Sequence, residues 1–429
     1  AKTSTAKLAK MLERVCADGR VRGEYLHHGA GQTGRFSSSG VQVHNLSKVR
    51  KVYENAGVDT RALFEAIRTG DPEELKRRFP GELGRPLHLV ADAIRGFIWA
   101  APGHDLIDCD YSSIEGRMAA WFAGEEWKLE AFRAADRGEG AGMYERTAAS
   151  IYDIAVEKVD KAKRGGGKVA ELSLGYQGGV GALSRMARAN KLKLHTVFGP
   201  VWESAPGERR KYAERRYEER LAAHDDATQR LGRDGWLAAE LIKMGWRSAH
   251  PATSAAWALL EEAATAAVAT PGTKHTACRV TYLVAHGFLW CLLPSGRPLA
   301  YGRPRMAEVE APWADKTVEP SKREKKLSLT ALSVDSQTKR WTRFPLYGGA
   351  LFNNVVQGTA RDILTHGALA AEAAGYPIVL HTHDELAAEV PVGWGSVEEM
   401  SNIINQLPEW ADGLPLTAAG WRGKRYRKD

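Results

Sequence analysis

Two acidic motifs constrain this chain more than any other feature. Asp110-Tyr111-Ser112-Ser113-Ile114-Glu115 and His383-Asp384-Glu385 lie most of the sequence apart, and each supplies an aspartate where a hydrophobic strand runs out. Leu106 and Ile107 alternate with polar neighbours ahead of Asp110, and Ile378-Val379-Leu380 precede the second motif. A fold that brings both strand ends to one place gives two carboxylates able to hold metal ions, and the chemistry expected of such a pair is phosphoryl transfer. Taken alone, a strand-end aspartate is more often a helix cap or turn residue, so the argument depends on the pair.

A chain of 429 residues exceeds the size at which a single core stops growing, so two or more domains are expected. The net charge of +8 favours a polyanionic partner such as nucleic acid. Cys16, Cys109, Cys278 and Cys291 show neither CxxC nor Cys/His ligand spacing, which argues against a zinc site or a disulfide framework and for a reducing, intracellular compartment. No apolar run reaches the length of a membrane span. The opening Ala1-Lys2-Thr3-Ser4 has neither an initiator Met nor a signal-peptide pattern, so a fragment of a longer protein is expected.

Residues 8–15 read as the end of an amphipathic helix, followed by a turn at Asp18-Gly19, a short basic strand over 20–25 and a Gly-rich loop. Within 29–46, Thr33-Gly34-Arg35-Phe36-Ser37-Ser38-Ser39 and Asn45 form a small, polar segment around one arginine, suited to close approach of a sugar-phosphate backbone or simply to a surface loop. The span 112–122 reads as a helix with Ile114, Met118 and Trp121 at helical spacing. Arg164, Lys168, Leu172 and Tyr176 recur at i, i+4, i+8 and i+12, so they are expected on one helix face: cations to meet phosphates, an aromatic to meet a base. Gly165-Gly166-Gly167 weakens the start of that helix, and its amides are expected to approach an anion. Without the acidic motifs the same face would read as a solvated charged helix.

The segment 208–230, dense in Glu, Arg and Lys, reads as an exposed helix, and the Ala-rich 254–268 as a buried helix packed against it. The run 291–297 is a strand entering a turn, with its return at Tyr301. A polar loop over 316–326 and a second hairpin over 327–344, with Asp335-Ser336-Gln337 at its tip, follow. A helix opens at Asn353 and runs to about Ala374, with Asn353 and Gln357 presenting two amides on one face. Such amides read the acceptors common to all base pairs in the minor groove, or cap a neighbouring element. Finally, 378–380 and 386–390 flank a tight turn that would present Asp384 to the strand end carrying Asp110.

These motifs, in this order, resemble the family A DNA polymerases, the DNA polymerase I family, and especially its phage and prophage members. The resemblance runs from Asp110-Tyr111-Ser112-Ser113-Ile114-Glu115-Gly116-Arg117 through Arg164, Lys168 and Tyr176 to His383-Asp384-Glu385, with Thr33-Gly34-Arg35, Asn45 and Gln357-Gly358-Thr359-Ala360 at the family's primer and template contacts. It implies an α+β, right-hand polymerase fold with an antiparallel-sheet palm, mostly helical fingers and only the end of a thumb. The implied division is 1–28 end of thumb, 29–140 palm, 141–280 fingers and 281–429 palm again. The implied activity is template-directed DNA synthesis. Asp110, Asp384 and the carbonyl of Tyr111 would bind two Mg²⁺ ions, with Mn²⁺ a possible substitute. Arg164 and Lys168 would bind the incoming triphosphate, with Lys168 also a proton donor to pyrophosphate. Tyr176 and the residue at Leu172 would lie beside the nucleotide, and Glu115 would be the steric gate against a ribose 2′-hydroxyl. Arg35, Asn45, Asn353, Gln357 and His383 would contact primer-template DNA, and Glu385 would support the metals.

The sequence departs from the family pattern at several places: Ser113 stands for a usual Gln, Gly116 for Leu, Tyr144 for a phosphate-contacting His, and Leu172-Ser173 for Phe-Gly. Phosphate binding is therefore expected to rest more heavily on Arg164 and Lys168, and the family's sugar 3′ discrimination by an aromatic at Leu172 does not carry over. A single-subunit RNA polymerase would not be expected to keep Glu115 or the Asp384-Glu385 pair, and a silent DNA-binding module would need no metal carboxylates. The expected partners are primer-template DNA and dNTPs, with an upstream exonuclease and thumb region or a separate chain. No membrane is expected, and the implied location is the cytoplasm of a bacterial host, with phage or prophage origin.

Overall fold

A computed structural model of the chain describes residues 2–47, 60–81, 85–312, 314–315, 317–335 and 338–427. In chain order the elements begin with helix α1 (Lys2–Arg14), strands β1 (Tyr25–Ala30) and β2 (Arg35–Ser38), helices α2 (Thr60–Arg68), α3 (Pro72–Arg78) and α4 (Pro86–Ala93), and strand β3 (His104–Tyr111). Helices α5 (Ile114–Ala123), α6 (Glu126–Asp136), α7 (Met143–Tyr152), α8 (Lys161–Leu174), α9 (Val180–Ala189), α10 (Phe198–Ser204), α11 (Gly207–Ala222), α12 (Asp226–Ala249) and α13 (Pro251–Ala269) follow. Strands β4 (His275–Ala277), β5 (Val280–Ala285), β6 (Phe288–Leu292), β7 (Pro298–Glu310), β8 (Lys325–Val334) and β9 (Trp341–Pro345) lead to helix α14 (Gly348–Ala373). The chain closes with β10 (Ile378–Thr382), β11 (Glu385–Pro391), α15 (Val397–Ile404) and β12 (Ala418–Gly423). Helices and antiparallel sheets are segregated rather than alternating, as an α+β class requires.

Two compact units divide the chain: a first of Ala1–Ser112, Ala360–Pro408 and Leu416–Asp429, and a second of Ser113–Thr359 and Glu409–Pro415. The first unit is organised around a four-stranded antiparallel sheet, ordered β10-β11-β3-β12. Alternation along β3 sends Cys109 and Tyr111 to one face, where Cys109 Sγ lies 3.3 Å from Ser401 Oγ and the Tyr111 hydroxyl donates to the Ile404 carbonyl at 2.7 Å. Gly367 is required there, because a Cβ would come within 2.2 Å of the Tyr111 hydroxyl. Trp421, Tyr426, Leu106, Leu380 and Ala387 form a buried cluster on the same sheet. Ser396 caps α15 by accepting from Glu399 N at 2.9 Å, the helix-start signature Ser-x-x-Glu.

The second unit holds α5–α13 and a six-stranded antiparallel meander, β4 through β9 in order. Helix α12 starts at Asp225, which accepts from Thr228 N at 3.0 Å, and is interrupted at Gly232, whose φ of 66° only glycine adopts freely. Helix α11 packs on α12, while α13 packs on α5 and the first strands of the meander and also touches α12.

Three local expectations are corrected. The basic strand over 20–25 reduces to one bridge, Val15 with Val21, and pairing starts at Tyr25. The Gly-rich segment that follows is no open loop: β1 and β2 pair as a hairpin, Ala30 opposite Arg35, with Gly34 at φ 67° in the turn. The last long helix starts at Gly348 rather than Asn353, because Gly348 and Gly349 permit a close approach. A Cβ at Gly348 would meet the Trp257 carbonyl at 2.0 Å, and one at Gly349 the Tyr176 carbonyl at 2.4 Å. The β8–β9 hairpin forms as expected, with Ser336 and Gln337 of its tip outside the described residues.

Candidate active site

In the first unit, sheet register sets the geometry of the acidic motifs. Asp110 pairs with Glu385 across β3 and β11, and with Ala419 on β12. The turn between β10 and β11 places His383 at φ 60°, and the Tyr111 amide donates to the Asp384 carbonyl at 3.0 Å. Asp384 is therefore tied by main chain to the residue after Asp110, and both aspartates are half-buried. Two aspartates held near one another at the end of one sheet offer only oxygen donors, the chemistry that suits a hard divalent cation. Among the described residues no cluster of three or more His, Cys, Asp or Glu stands ready to ligate a metal.

Glu385 shares the Asp110 face but is buried, at 1 % exposure. Its carboxylate accepts from the Tyr426 hydroxyl, which also lies 3.3 Å from Thr382 Oγ1. Arg95, itself buried, donates to the Tyr426 hydroxyl at 2.7 Å and to the Leu46 and Ser47 carbonyls at 2.9 and 3.1 Å. Burial, then the neighbouring Glu385, pushes the Tyr426 hydroxyl above its usual pKa, so it stays a donor. Glu385 is thus held as a structural acceptor. Neither Arg95 nor Tyr426 was singled out in the sequence; a buried charge and a tyrosine from opposite ends of the chain leave no local pattern.

The remaining expected contacts of this unit gather around the turn. His383 is exposed, its Nε2 lies 3.1 Å from the His44 carbonyl, and the two rings are 5.3 Å apart. Asn45 is exposed next to His44, its carbonyl accepting from Lys7 Nζ at 2.9 Å. Burial lowers the His44 pKa to about 4, with His383 and Arg35 as further causes, which places Arg35 in the same neighbourhood. Behind the turn His381 stacks on Tyr25 at 4.0 Å and contacts Phe36, while Arg361 lies over the Phe36 ring and within 2.9 Å of His27 Nε2.

The second unit carries the cationic motif. Arg164 and Lys168 project from α8 over the ring of Tyr144, at 5.1 and 6.0 Å from its centroid, and Arg164 pairs with Glu145. Tyr144, a departure from the family pattern, is therefore what both cations rest on. Helix α8 ends at Leu174, so Tyr176 lies in the following turn rather than on the expected helical face. There its hydroxyl donates to Glu115 Oε2 at 3.4 Å, and its ring lies 6.1 Å from Phe352. Leu172 is 42 % exposed. The three glycines are not an anion-binding turn: all are helical, and a Cβ at Gly167 would meet the Tyr144 carbonyl at 2.0 Å, so Gly167 lets α8 press against α7. Asn353 and Gln357 lie half-buried one turn apart on α14, and the Gly358 carbonyl accepts from Arg297 at 2.7 Å.

Beneath α8 lies a buried network that sequence reading missed. Lys128 and Glu171, at 7 % and 8 % side-chain exposure, pair at 2.5 Å. Glu171 also accepts from Thr147 Oγ1 and Trp246 Nε1, both at 2.8 Å, and lies 3.5 Å from His250 Nε2. Burial works to raise the Glu171 pKa, but Lys128 and His250 outweigh it and hold the carboxyl below its usual value. Its members come from positions 128, 147, 171, 246 and 250, too far apart to form a motif.

With this geometry in view, the chain matches the model of DNA polymerase family A over residues 1–193. It is a member of that family. A DNA polymerase of Bacillus phage SP02 is 32% identical over 433 residues, an alignment that takes in 100% of this chain and 56% of the phage protein, so the chain spans little more than half of that relative. Among solved structures, the POL domain of Pol1 from M. smegmatis, in complex with DNA primer-template and dNTP, aligns with 99% of this chain and 51% of that one, at 16% identity and a TM-score of 0.49. Family A polymerases generally use divalent metals. No helix among the described residues is long and apolar enough to cross a membrane.

Proposed function

We propose that the chain performs template-directed DNA synthesis, transferring nucleotides from dNTPs to a primer 3′-hydroxyl. The observation that carries this reading is the main-chain bond from Tyr111 to Asp384, which puts the second aspartate of the family pattern beside the first. Asp110, Asp384 and the Tyr111 carbonyl would hold two Mg²⁺ ions. When bound, these ions supply a lowered pKa at the attacking hydroxyl and charge stabilisation at the departing pyrophosphate.

The other roles fall to the chain's own side chains. Arg164 and Lys168 neutralise the triphosphate, and Lys168 donates a proton to the leaving pyrophosphate as the bond to the α-phosphorus breaks. Tyr176 stands beside the nascent pair, with Leu172 on the helix leading to it. The bond from Tyr176 to Glu115 supports Glu115 as the gate, since it orients the carboxylate that would exclude a 2′-hydroxyl. Arg35, Asn45, Asn353, Gln357 and His383 contact primer and template, and Glu385 supports the turn that carries Asp384. The division into end of thumb (1–28), palm (29–140 and 281–429) and fingers (141–280) belongs to this proposal. So do primer-template DNA and dNTPs as partners, an upstream exonuclease and thumb region or a separate chain, and a bacterial host cytoplasm.

The test is extension of a primed DNA template in Mg²⁺, with dNTPs or rNTPs, for the chain and its Glu115→Ala variant. We expect dNTP-dependent extension that chelation abolishes, and new ribonucleotide incorporation in the variant. Extension by the unaltered chain with rNTPs alone would reject the reading.

A further inference from the structure

We propose that the face of the meander formed by β7, β8 and β9 is a binding surface for single-stranded DNA, a role that rests on the polymerase reading. The register places Trp341 opposite Val334, Arg343 opposite Leu332 and then Gly302, and Pro345 opposite Thr330 and then Arg305. Directly paired residues project from the same side of a sheet, so Trp341, Val334, Arg343 and Arg305 share one face. Trp341 is 69% exposed and Val334 46%, a large apolar area for the end of a hairpin.

The charge around them is one-sided. Around the Val334–Trp341 end, residues 330–345 contain three cations, Lys339, Arg340 and Arg343, against the single acid Asp335, and β7 adds Arg303 and Arg305. Asp335 is engaged by Thr338, which donates from its amide at 2.6 Å and its hydroxyl at 2.9 Å. Arg343 Nη1 donates to the Arg303 carbonyl at 3.0 Å and to Thr330 Oγ1 at 3.1 Å, which gathers Arg303, Arg305 and Arg343 at the bulge in β7. Among the described residues none of Arg303, Arg305, Arg340 and Arg343 has a carboxylate partner. Burial first, and Arg305 second, depress the Arg343 pKa, as expected where cations crowd together without an acid.

Uncompensated arginines around an exposed indole have the chemistry of a single-strand platform: guanidinium groups follow the phosphates and the ring stacks on a base. A duplex would hide its bases from Trp341, and an acidic protein would not need the ring. The surface is confined to the second unit and lies on strands outside the motifs that carry the nucleotidyl-transfer reading.

The experiment compares the chain with Trp341→Ala and with the double variant Arg303→Gln, Arg305→Gln, all on surface positions that leave the sheet register intact. Fluorescence anisotropy would measure affinity for a primer-template with a long single-stranded template overhang and for one with a blunt end. We expect each variant to bind the overhang substrate roughly tenfold more weakly. In the double variant the slope of log affinity against log salt should fall by about 1.4, roughly 0.7 for each phosphate that is no longer neutralised. Affinity for the blunt-ended duplex, and the primer-extension rate at a saturating concentration of the overhang substrate, should not change. Unchanged affinity for the overhang, or equal losses on both substrates, overturns the proposal. Overhang binding that responds to the variants in a chain that never extends a primer would instead reject the polymerase reading and leave the surface standing.

Discussion

Asp110 and Asp384 are positioned by main-chain pairing, whereas Arg164 and Lys168 stand on side chains: one tyrosine ring, one half-buried glutamate and a buried ion pair that ties their own helix to Lys128. Sheet register cannot shift by a fraction of a residue, so the carboxylates are fixed within the first unit. A helix resting on Lys128 and Glu171 can tilt if that pair rearranges, which suits a group that must close on each nucleotide and release it. In the proposed reaction, carboxylates that would hold metals gain from rigidity, and cations that would follow a substrate gain from a support that can give way.

Removing a fixed ligand gives the largest expected effect. Asp384→Asn keeps the turn, since its contact with Tyr111 is through the main chain, and should slow primer extension by roughly a thousandfold or more with little change in unfolding midpoint. A near-normal rate would break the comparison at its first term. Glu171→Gln comes next. It leaves Lys128 buried opposite a neutral amide and should cost about 3–5 kcal/mol, read as a drop in denaturant midpoint. The double change Lys128→Met, Glu171→Leu removes the unpaired charge but takes the acceptor from Thr147 Oγ1 and Trp246 Nε1, so it should recover only part of that stability. If dNTP KM in the double variant equals that of the parent, the pair serves stability alone and the contrast between the two supports loses its second term.

A smaller effect separates the ring from the charges it carries. Tyr144→Ala removes the surface under Arg164 and Lys168 and should raise dNTP KM about fivefold to thirtyfold at unchanged DNA affinity, because a partly exposed cation–π contact contributes about 0.5–1 kcal/mol for each cation. Tyr144→Phe should be close to neutral. A loss in the phenylalanine variant equal to that in the alanine one would mean that the hydroxyl, not the ring, positions the cations.

The parts legible in the sequence are those with local periodicity. Alternation in 105–110 and the apolar pair of strands around His383-Asp384-Glu385 are enough to anticipate the hairpin and its neighbour, because a two-residue repeat and a tight turn are local facts. Tyr176 was misplaced for the opposite reason. Its spacing continued a helical face, yet Gly175 and a left-handed Gln177, φ 62°, end the helix first and swing the ring toward Glu115. Gly165-Gly166-Gly167 read from composition as a weak first helical turn whose amides approach an anion, whereas the contact that requires Gly167 is the α7 backbone, which sequence does not display. The Glu385–Tyr426–Arg95 chain and the Glu171 network were invisible, since each joins residues from distant segments and buried polar groups follow no repeat.

The smallest expected effect again sets one unit against the other. His44 and His381, both lowered to about 4 chiefly by burial, lie in the first unit, and His250, lowered by burial and Lys128, lies in the second. Their folded pKa values fall below the unfolded value of about 6.5, so below that pH the unfolded chain takes up protons that the folded chain refuses. Stability should therefore be level above pH 7, decline as pH falls from about 6.5 toward 4, and level off below, by no more than about 1 kcal/mol for each half-exposed first-unit histidine. Denaturant midpoints across this range should flatten in a His44→Gln, His381→Gln double variant only by the first unit's share. If His250→Gln alone removes the whole slope, the histidines around the Asp384 turn are solvated enough to titrate normally. The aromatic packing that backs that turn would then be looser than the main-chain pairing in front of it.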